Sequence, residues 1–258
     1  MPENDDLKLL IDAARASGEI ACKFWQKSPE IWDKDDNAGP VTEADLAVNK
    51  MLHAELKGAR ADYGWLSEET EDNSTRLSHD HVFIIDPIDG TRAFIKGDKT
   101  FAHSLAVAHK GQITAAAVFL PMLDKLYVAT KNTVATLNGQ PIQASNPAPY
   151  QTPTMLATKC NFKPQHWNEQ EPAFERHFRT SLAYRMCLVA QGRFDAMLTL
   201  RPTWEWDIAA GTLIANRALA AVSDRQGHDL VFNNPTPKVN GIISANPALH
   251  KTIQKQLT

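Results

Sequence analysis

The chain has 258 residues, with 27 Lys and Arg against 30 Asp and Glu, 43% hydrophobic residues and three cysteines. That length suits one large domain or two small ones around a buried core. A formal charge of −3 with no basic block argues against a nucleic-acid polymer as partner, because few counterions would be released on binding. The longest apolar run, "ITAAAVFLPML", is too short to span a bilayer and contains proline, so no membrane partner is expected. Cys22, Cys160 and Cys187 are scattered, odd in number and lack metal-ligand spacing. Three reduced, mostly buried thiols are expected. The acidic start "MPENDDLKLL" resembles neither a secretory signal nor a transit peptide, which implies a soluble, cytoplasmic protein.

Leu7, Leu10, Ile11, Ala14, Ile20, Ala21, Phe24 and Trp25 recur at helical spacing over 6–27. After an acidic loop with Gly39-Pro40, "TEADLAVNKMLHAELKGA" predicts a second helix with Thr42 as its N-cap. "VFIID" (82–86) reads as a buried strand running into a loop, "HSLAVAHKGQITAAAVFLP" as a hairpin about Lys110-Gly111, and "KLYVAT" as another strand. The stretch 138–153, rich in Pro, Asn and Ser, is the expected boundary. It divides an N-terminal α+β part (1–145) from a C-terminal α/β part (146–258). Beyond it come a strand in "TMLAT", a helix in "SLAYRMCLVAQG" closed by Gly192, and a strand in "FDAMLTL". An Ala-rich helix in "WDIAAGTLIANRALA" and a strand in "GIISA" follow. Alternating strands and helices with some antiparallel pairing give a mixed α/β or α+β layered domain.

Four places set acids beside turn or helix-start signals: Asp45, Glu68 with Glu69, Asp86 with Asp89, and Asp207. Asp45 either serves the dipole of a helix first turn or belongs to a site. Glu68 and Glu69 open the polar run "EETEDNSTR", which is a solvated loop or a ligand loop. Asp207 is an N-cap or a ligand. Asp86 and Asp89 point more firmly to chemistry. Pro87 and Gly90 stiffen the turn "DPIDGT" so that both side chains can face one way, and two carboxylates that close repel unless a cation or proton lies between them. Oxygen ligands without histidine or thiolate suit Mg²⁺ rather than zinc or copper. An EF-hand loop would need acids at alternate positions, and an aspartyl-nucleophile phosphatase would need D-x-D.

Taken in order, "VTEAD", "SEET", "DPIDGT", "WDIAAG", "MCLVAQGRFDA" and "SDRQG…GIISANPALH" resemble the inositol monophosphatase superfamily of Mg²⁺-dependent, lithium-sensitive phosphatases, over nearly the whole chain. The resemblance implies a layered sandwich of alternating helix and sheet layers, a homodimer, and about two to three Mg²⁺ ions per site. It implies Glu68, Asp86, the carbonyl of Ile88, Asp89 and Asp207 as metal ligands, with Asp86 bridging. Thr91 and Asp45, with Glu68, would act on the attacking water. Asp89, Gly90, Thr91, Ala183, Arg185, Arg201 and Asp207 would contact substrate or phosphate. Where many members have Glu-Ala-Gly-Gly, this chain has "NRALAA" (216–221), which bears on local packing.

The stretch "PTWEWDIAAG" resembles the 3'(2'),5'-bisphosphate nucleotidases, which implies adenosine 3',5'-bisphosphate as substrate. Inositol monophosphatases usually have a glutamate seven residues before the metal aspartate, where this chain has Leu200, and nucleotidases often have an arginine where it has Thr199. Arg185 and Arg201 either bind a second phosphate or are solvated surface charges. Inositol 1-phosphate, or another small sugar or polyol phosphate, is the alternative substrate. A non-catalytic regulatory member is the alternative of a different class, and it conflicts with the presence of every implied ligand.

Overall fold

Apolar spacing builds α1 (Pro2–Phe24), with Glu3 and Asp5 in the first turn and Lys23 in the last, as the helix dipole favours. The computed structural model describes residues 2–27, 29–33, 39–146, 151–168 and 173–258. The acidic stretch 34–38 and the middle of the expected boundary, 147–150, lie outside them. Strands β1 (Ile31–Asp33) and β2 (Pro40–Thr42) pair antiparallel and lead into α2 (Glu43–Ala59). Thr42 caps α2 in a capping box, each of Thr42 and Asp45 bonding the other's backbone N–H.

The large sheet follows: β3 (Gly64–Ser67), β4 (His81–Asp89), then, past the short helix α3 (Thr91–Ile95), β5 (Ala102–His109) and β6 (Gln112–Leu120). It continues through β7 (Lys125–Thr130), β8 (Thr136–Leu137) and β9 (Gln140–Pro141), the strands lying side by side in chain order. The β3–β4 pair is parallel and the later pairs antiparallel. The rest of the chain gives β10 (Thr154–Leu156), β11 (Glu175–His177), α4 (Leu182–Ala190), β12 (Ala196–Trp204), α5 (Glu205–Arg217), β13 (Ala221–Ser223), β14 (Lys238–Ala245) and α6 (Pro247–Gln256). Its sheet runs in the order β11-β10-β12-β14-β13.

Strand period decides the layers. In β4, Phe83 and Ile85 join the core made with α1 and α2, while Val82 and Ile84 face the core made with α4 and α5. Helices α4 and α5 therefore lie between the two sheets, and β12 and β14 contribute Met197 and Ile242 to the same core. The outer face of the second sheet, with Leu198 and Ile243, packs on Ile253 of α6. The result is helix, sheet, helix, sheet, helix, the expected layered sandwich.

Three expectations need correction. The strand begun by "VFIID" does not end at Asp86 but continues to Asp89. The Ala-rich helix stops at Arg217, because Leu219 within "NRALAA" turns to a left-handed φ of 67°. Only Cys187 is buried; Cys22 and Cys160 are exposed, Cys160 beside the Thr158 hydroxyl on a surface turn.

Candidate active site

On a regular strand, residues three apart point to opposite faces. Asp86 pairs with Ser104 and Asp89 with Ala102, so β4 spends one residue more than β5 over this step, a β-bulge. Because Ser104 and Ala102 share a face of β5, the bulge returns Asp89 to the face of Asp86. Pro87 has no N–H to lose from the ladder, and its carbonyl accepts from His103 Nδ1 at 2.5 Å. His103 is fully buried, and burial pushes its pKa down to about 4, so a neutral ring donating from Nδ1 pins the bulge.

Asp207 arrives from the other half of the chain. It sits in the first turn of α5, which starts at Glu205, so it is not the N-cap; Trp204 holds that place. Ser104 Oγ donates to Trp206 O at 3.1 Å, tying this turn to the strand residue opposite Asp86. Asp86, Asp89 and Asp207 each offer an oxygen within 4.8 Å of the others. Glu68 follows β3, its amide donating to Ile85 O at 3.2 Å, and its carboxylate is near enough to Asp86 to raise that group's pKa. Glu69 does not line the cleft; its carbonyl accepts from Asn49 Nδ2.

Electrostatics separate this cluster from a hydrogen-bonded core. Burial, then Glu68, Asp89 and Asp207, push Asp86 well above the usual carboxylate range. Its Oδ1 is buried and has no hydrogen-bond partner among the described residues. A buried, partnerless carboxylate oxygen beside further carboxylates fits a cation, and an all-oxygen donor set fits a hard one. Asp89 accepts from Ser181 Oγ (2.7 Å), Ala183 N (2.6 Å) and Leu182 N (3.2 Å) at the start of α4, yet burial outweighs these donors and its pKa is pushed up to about 6.

Asp45 and Thr91 meet behind the cluster. Asp45 Oδ2 accepts from Thr42 N (2.8 Å) and Oγ1 (2.5 Å), and the Thr91 hydroxyl lies 3.2 Å from Asp45 Oδ1 and 3.1 Å from Ile88 O. The helix-start role of Asp45 and its contact with Thr91 thus coexist on different oxygens. Gly90, at φ 99°, is the N-cap of α3 and frees the chain to leave β4.

The cluster opens into a cleft of about 660 Å³ lined also by Gly90, Thr91, Arg185 and Arg201. Arg185 is not a solvated surface charge: it is buried, with Nε donating to Arg179 O (2.5 Å), its guanidinium 4.6 Å from the Phe178 ring, and burial lowering its pKa to about 10. Arg201 is exposed at the cleft. Ala183 is fully buried with its amide on Asp89, and its neighbour Leu182 lines the cleft instead. Thr199 also lines it, whereas Leu200 packs into the core of the outer face.

Sequence reasoning passed over Ser181, His103 and a network that locks the two halves together. Arg76 is buried and donates to both oxygens of Asp72 (2.6 and 2.8 Å), to Asn233 Oδ1 (2.6 Å) and to Asn234 O (2.9 Å). The amides of Asn233 and Asn234 then donate to Glu205, two residues before Asp207. The loop after Glu68 is thereby fixed to the turn carrying Asp207.

Comparison with known proteins agrees with this architecture. A model of the inositol monophosphatase family matches residues 4–258. The chain is 26% identical over 255 residues to the histidinol-phosphatase of Chlorobaculum parvum, covering 96% of this chain and 95% of that protein. It is 30% identical over 268 residues to the inositol-1-monophosphatase of Mesorhizobium japonicum, with coverages of 98% and 97%. The solved IMPase of Thermotoga maritima superposes with a TM-score of 0.82 at 27% identity, covering 97% of this chain and 96% of that one. With the motif order, the layers and the acidic cluster in agreement, the chain belongs to the inositol monophosphatase family.

Proposed function

We propose that this protein is a Mg²⁺-dependent phosphomonoester hydrolase that uses Asp86, Asp89, Asp207, Glu68 and the Ile88 carbonyl as its metal ligands. The family is metal-dependent and acts on small phosphorylated substrates. One observation carries the reading: the buried Asp86 Oδ1, without a partner among the described residues, lies within a cluster of carboxylates. When bound, Mg²⁺ lowers the pKa of a water and offsets charge on the phosphate.

The protein's own residues supply positioning and a proton path. Thr91 orients the attacking water, and its hydroxyl takes the water's proton as it passes its own to Asp45 Oδ1, 3.2 Å away. Thr42 holds the other oxygen of Asp45, so the carboxylate keeps its aim at Thr91. The amides of Gly90 and Thr91 face the phosphate. Arg201, exposed at the cleft, takes a second anionic group, and Arg185 stiffens the wall behind it.

Adenosine 3',5'-bisphosphate is the substrate this reading puts first, ahead of inositol 1-phosphate. The test is phosphate release from these two and from histidinol phosphate, with Mg²⁺, with excess chelator and with millimolar lithium. Mg²⁺-dependent, lithium-sensitive release is expected, fastest from the bisphosphate. Full activity in chelator would remove the metal mechanism, and preference for inositol 1-phosphate would remove the nucleotidase assignment. A homodimer is expected by light scattering.

A further inference from the structure

We propose that the cleft takes a phosphomonoester whose leaving group carries a planar ring, stacked on the exposed face of Phe178. This rests on the phosphomonoesterase reading and adds to it the side chain that recognises a ring on the alcohol released. Phe178 is a large apolar side chain lining the same cleft as the acidic cluster, yet it is 45% exposed. One face of its ring lies on the Arg185 guanidinium, 4.6 Å from the ring centre. Arg185 is itself buried and pinned to the carbonyls of Arg179 and Thr180. The ring therefore has a fixed cationic backing, and the residue still exposes nearly half of its surface.

The rest of the wall supports the same class. Besides the carboxylates of the metal cluster, the polar uncharged side chains lining the cleft are threonines, with no amide among the described lining residues. Arg92 and Arg201 also line the cleft and can donate to a leaving group's oxygens, so what favours a ring is the apolar part of the wall, Leu182, Trp204 and Trp206. Trp204 is a wall and not a platform, since Trp206 covers one side (centroids 4.5 Å apart, 13° between planes) and Lys238 Nζ lies 3.8 Å from its ring. Phe178 is left to receive a flat ligand.

The experiment measures kcat/KM in Mg²⁺ for adenosine 3'-monophosphate and glycerol 2-phosphate, which carry one phosphate each. Wild type should prefer the nucleotide. Phe178→Leu keeps apolar bulk but removes the aromatic face, and should cost about five- to a hundredfold on the nucleotide, with less than about threefold on glycerol 2-phosphate. Phe178→Trp should restore the preference. Wild-type inhibition by adenosine, and none by glycerol, tests the same contact should Phe178→Leu misfold. Equal losses on both substrates, an unchanged nucleotide rate, or wild-type preference for glycerol 2-phosphate would overturn the ring-stacking assignment while leaving a phosphatase. Release from neither substrate would overturn the phosphomonoesterase reading and this one with it.

Discussion

Asp89 allows two physical roles to be separated in one substitution. Its carboxylate accepts from Ser181 and two amides at the start of α4, as a structural cap would, and it also belongs to the acidic cluster. Asp89→Asn removes the charge and nearly keeps the shape. A carboxyl that ionises near about 6 instead of 3.8 costs the metal-free fold about 3 kcal/mol at neutral pH. Asparagine escapes that cost. Its oxygen can keep the Ser181 and Ala183 bonds, while its NH₂ meets the Leu182 amide, returning about 1 kcal/mol. The net is a gain of about 2 kcal/mol, or a Tm rise of about 4–8 °C in chelator. A carboxyl with a raised folded pKa leaves stability intact below 3.8 and lowers it as pH rises through about 6. The Tm gap should therefore be full at pH 7 and close toward pH 4. With Mg²⁺ present, the variant should lose at least about a hundredfold in kcat/KM, close to 3 kcal/mol, and its Tm should no longer respond to the ion. Calorimetry in chelator, with and without added Mg²⁺, reads all of this. A metal-free Tm that falls by several degrees would refute the argument and make Asp89 a helix cap first.

Three further outcomes follow from the packing. Arg76→Met leaves Asp72, Asn233 and Asn234 without their donor and should cost about 3 kcal/mol, seen as a Tm lower by about 6–12 °C; a change under 2 °C would mean the loops hold without it. Gly211→Ala places a Cβ 2.8 Å from Met186 Cβ and should destabilise by about 1–3 kcal/mol, with Met186→Ala in the same chain giving part of that back in urea titrations. Burial lowers the His250 pKa from 6.5, so its contribution is present above that value and lost as pH falls below it; His250→Gln should flatten the decline of Tm between pH 7 and 5, and an unchanged slope would assign the decline elsewhere.

The acids were legible because side-chain type and order survive without coordinates: Asp45, Glu68, Asp86, Asp89 and Asp207 all reach one neighbourhood. Helical spacing likewise exposed α1, α2, α4 and α5. What stayed hidden depends on partners distant in the chain. Strand alternation is silent on a bulge, so the letters alone end β4 at Asp86. His103 fits the apolar run of β5, and its bond to Pro87 needs the antiparallel register to be known. Ser181 did carry a signal, an N-cap residue type directly before an apolar helix, but nothing local says that its hydroxyl turns to Asp89. Asn246-Pro247 before α6 was a readable helix start that the strand reading of "GIISA" stopped short of. Phe178 lies in a stretch without periodicity, where exposure is the default.

The bulge between Asp86 and Asp89 gives motif spacing an arithmetic meaning. Side chains that share a face of an undistorted strand are separated by an even number of positions, and these two are separated by an odd one. Parity is therefore a test that can be run on letters alone. Where two residues that must cooperate sit an odd distance apart at the end of an apolar run, the strand has to carry an extra residue, and a proline between them marks where. D-x-D and D-x-x-D then differ in backbone and not only in length. The second form takes a carbonyl out of the ladder, and here that carbonyl, of Ile88, is turned to the Thr91 hydroxyl.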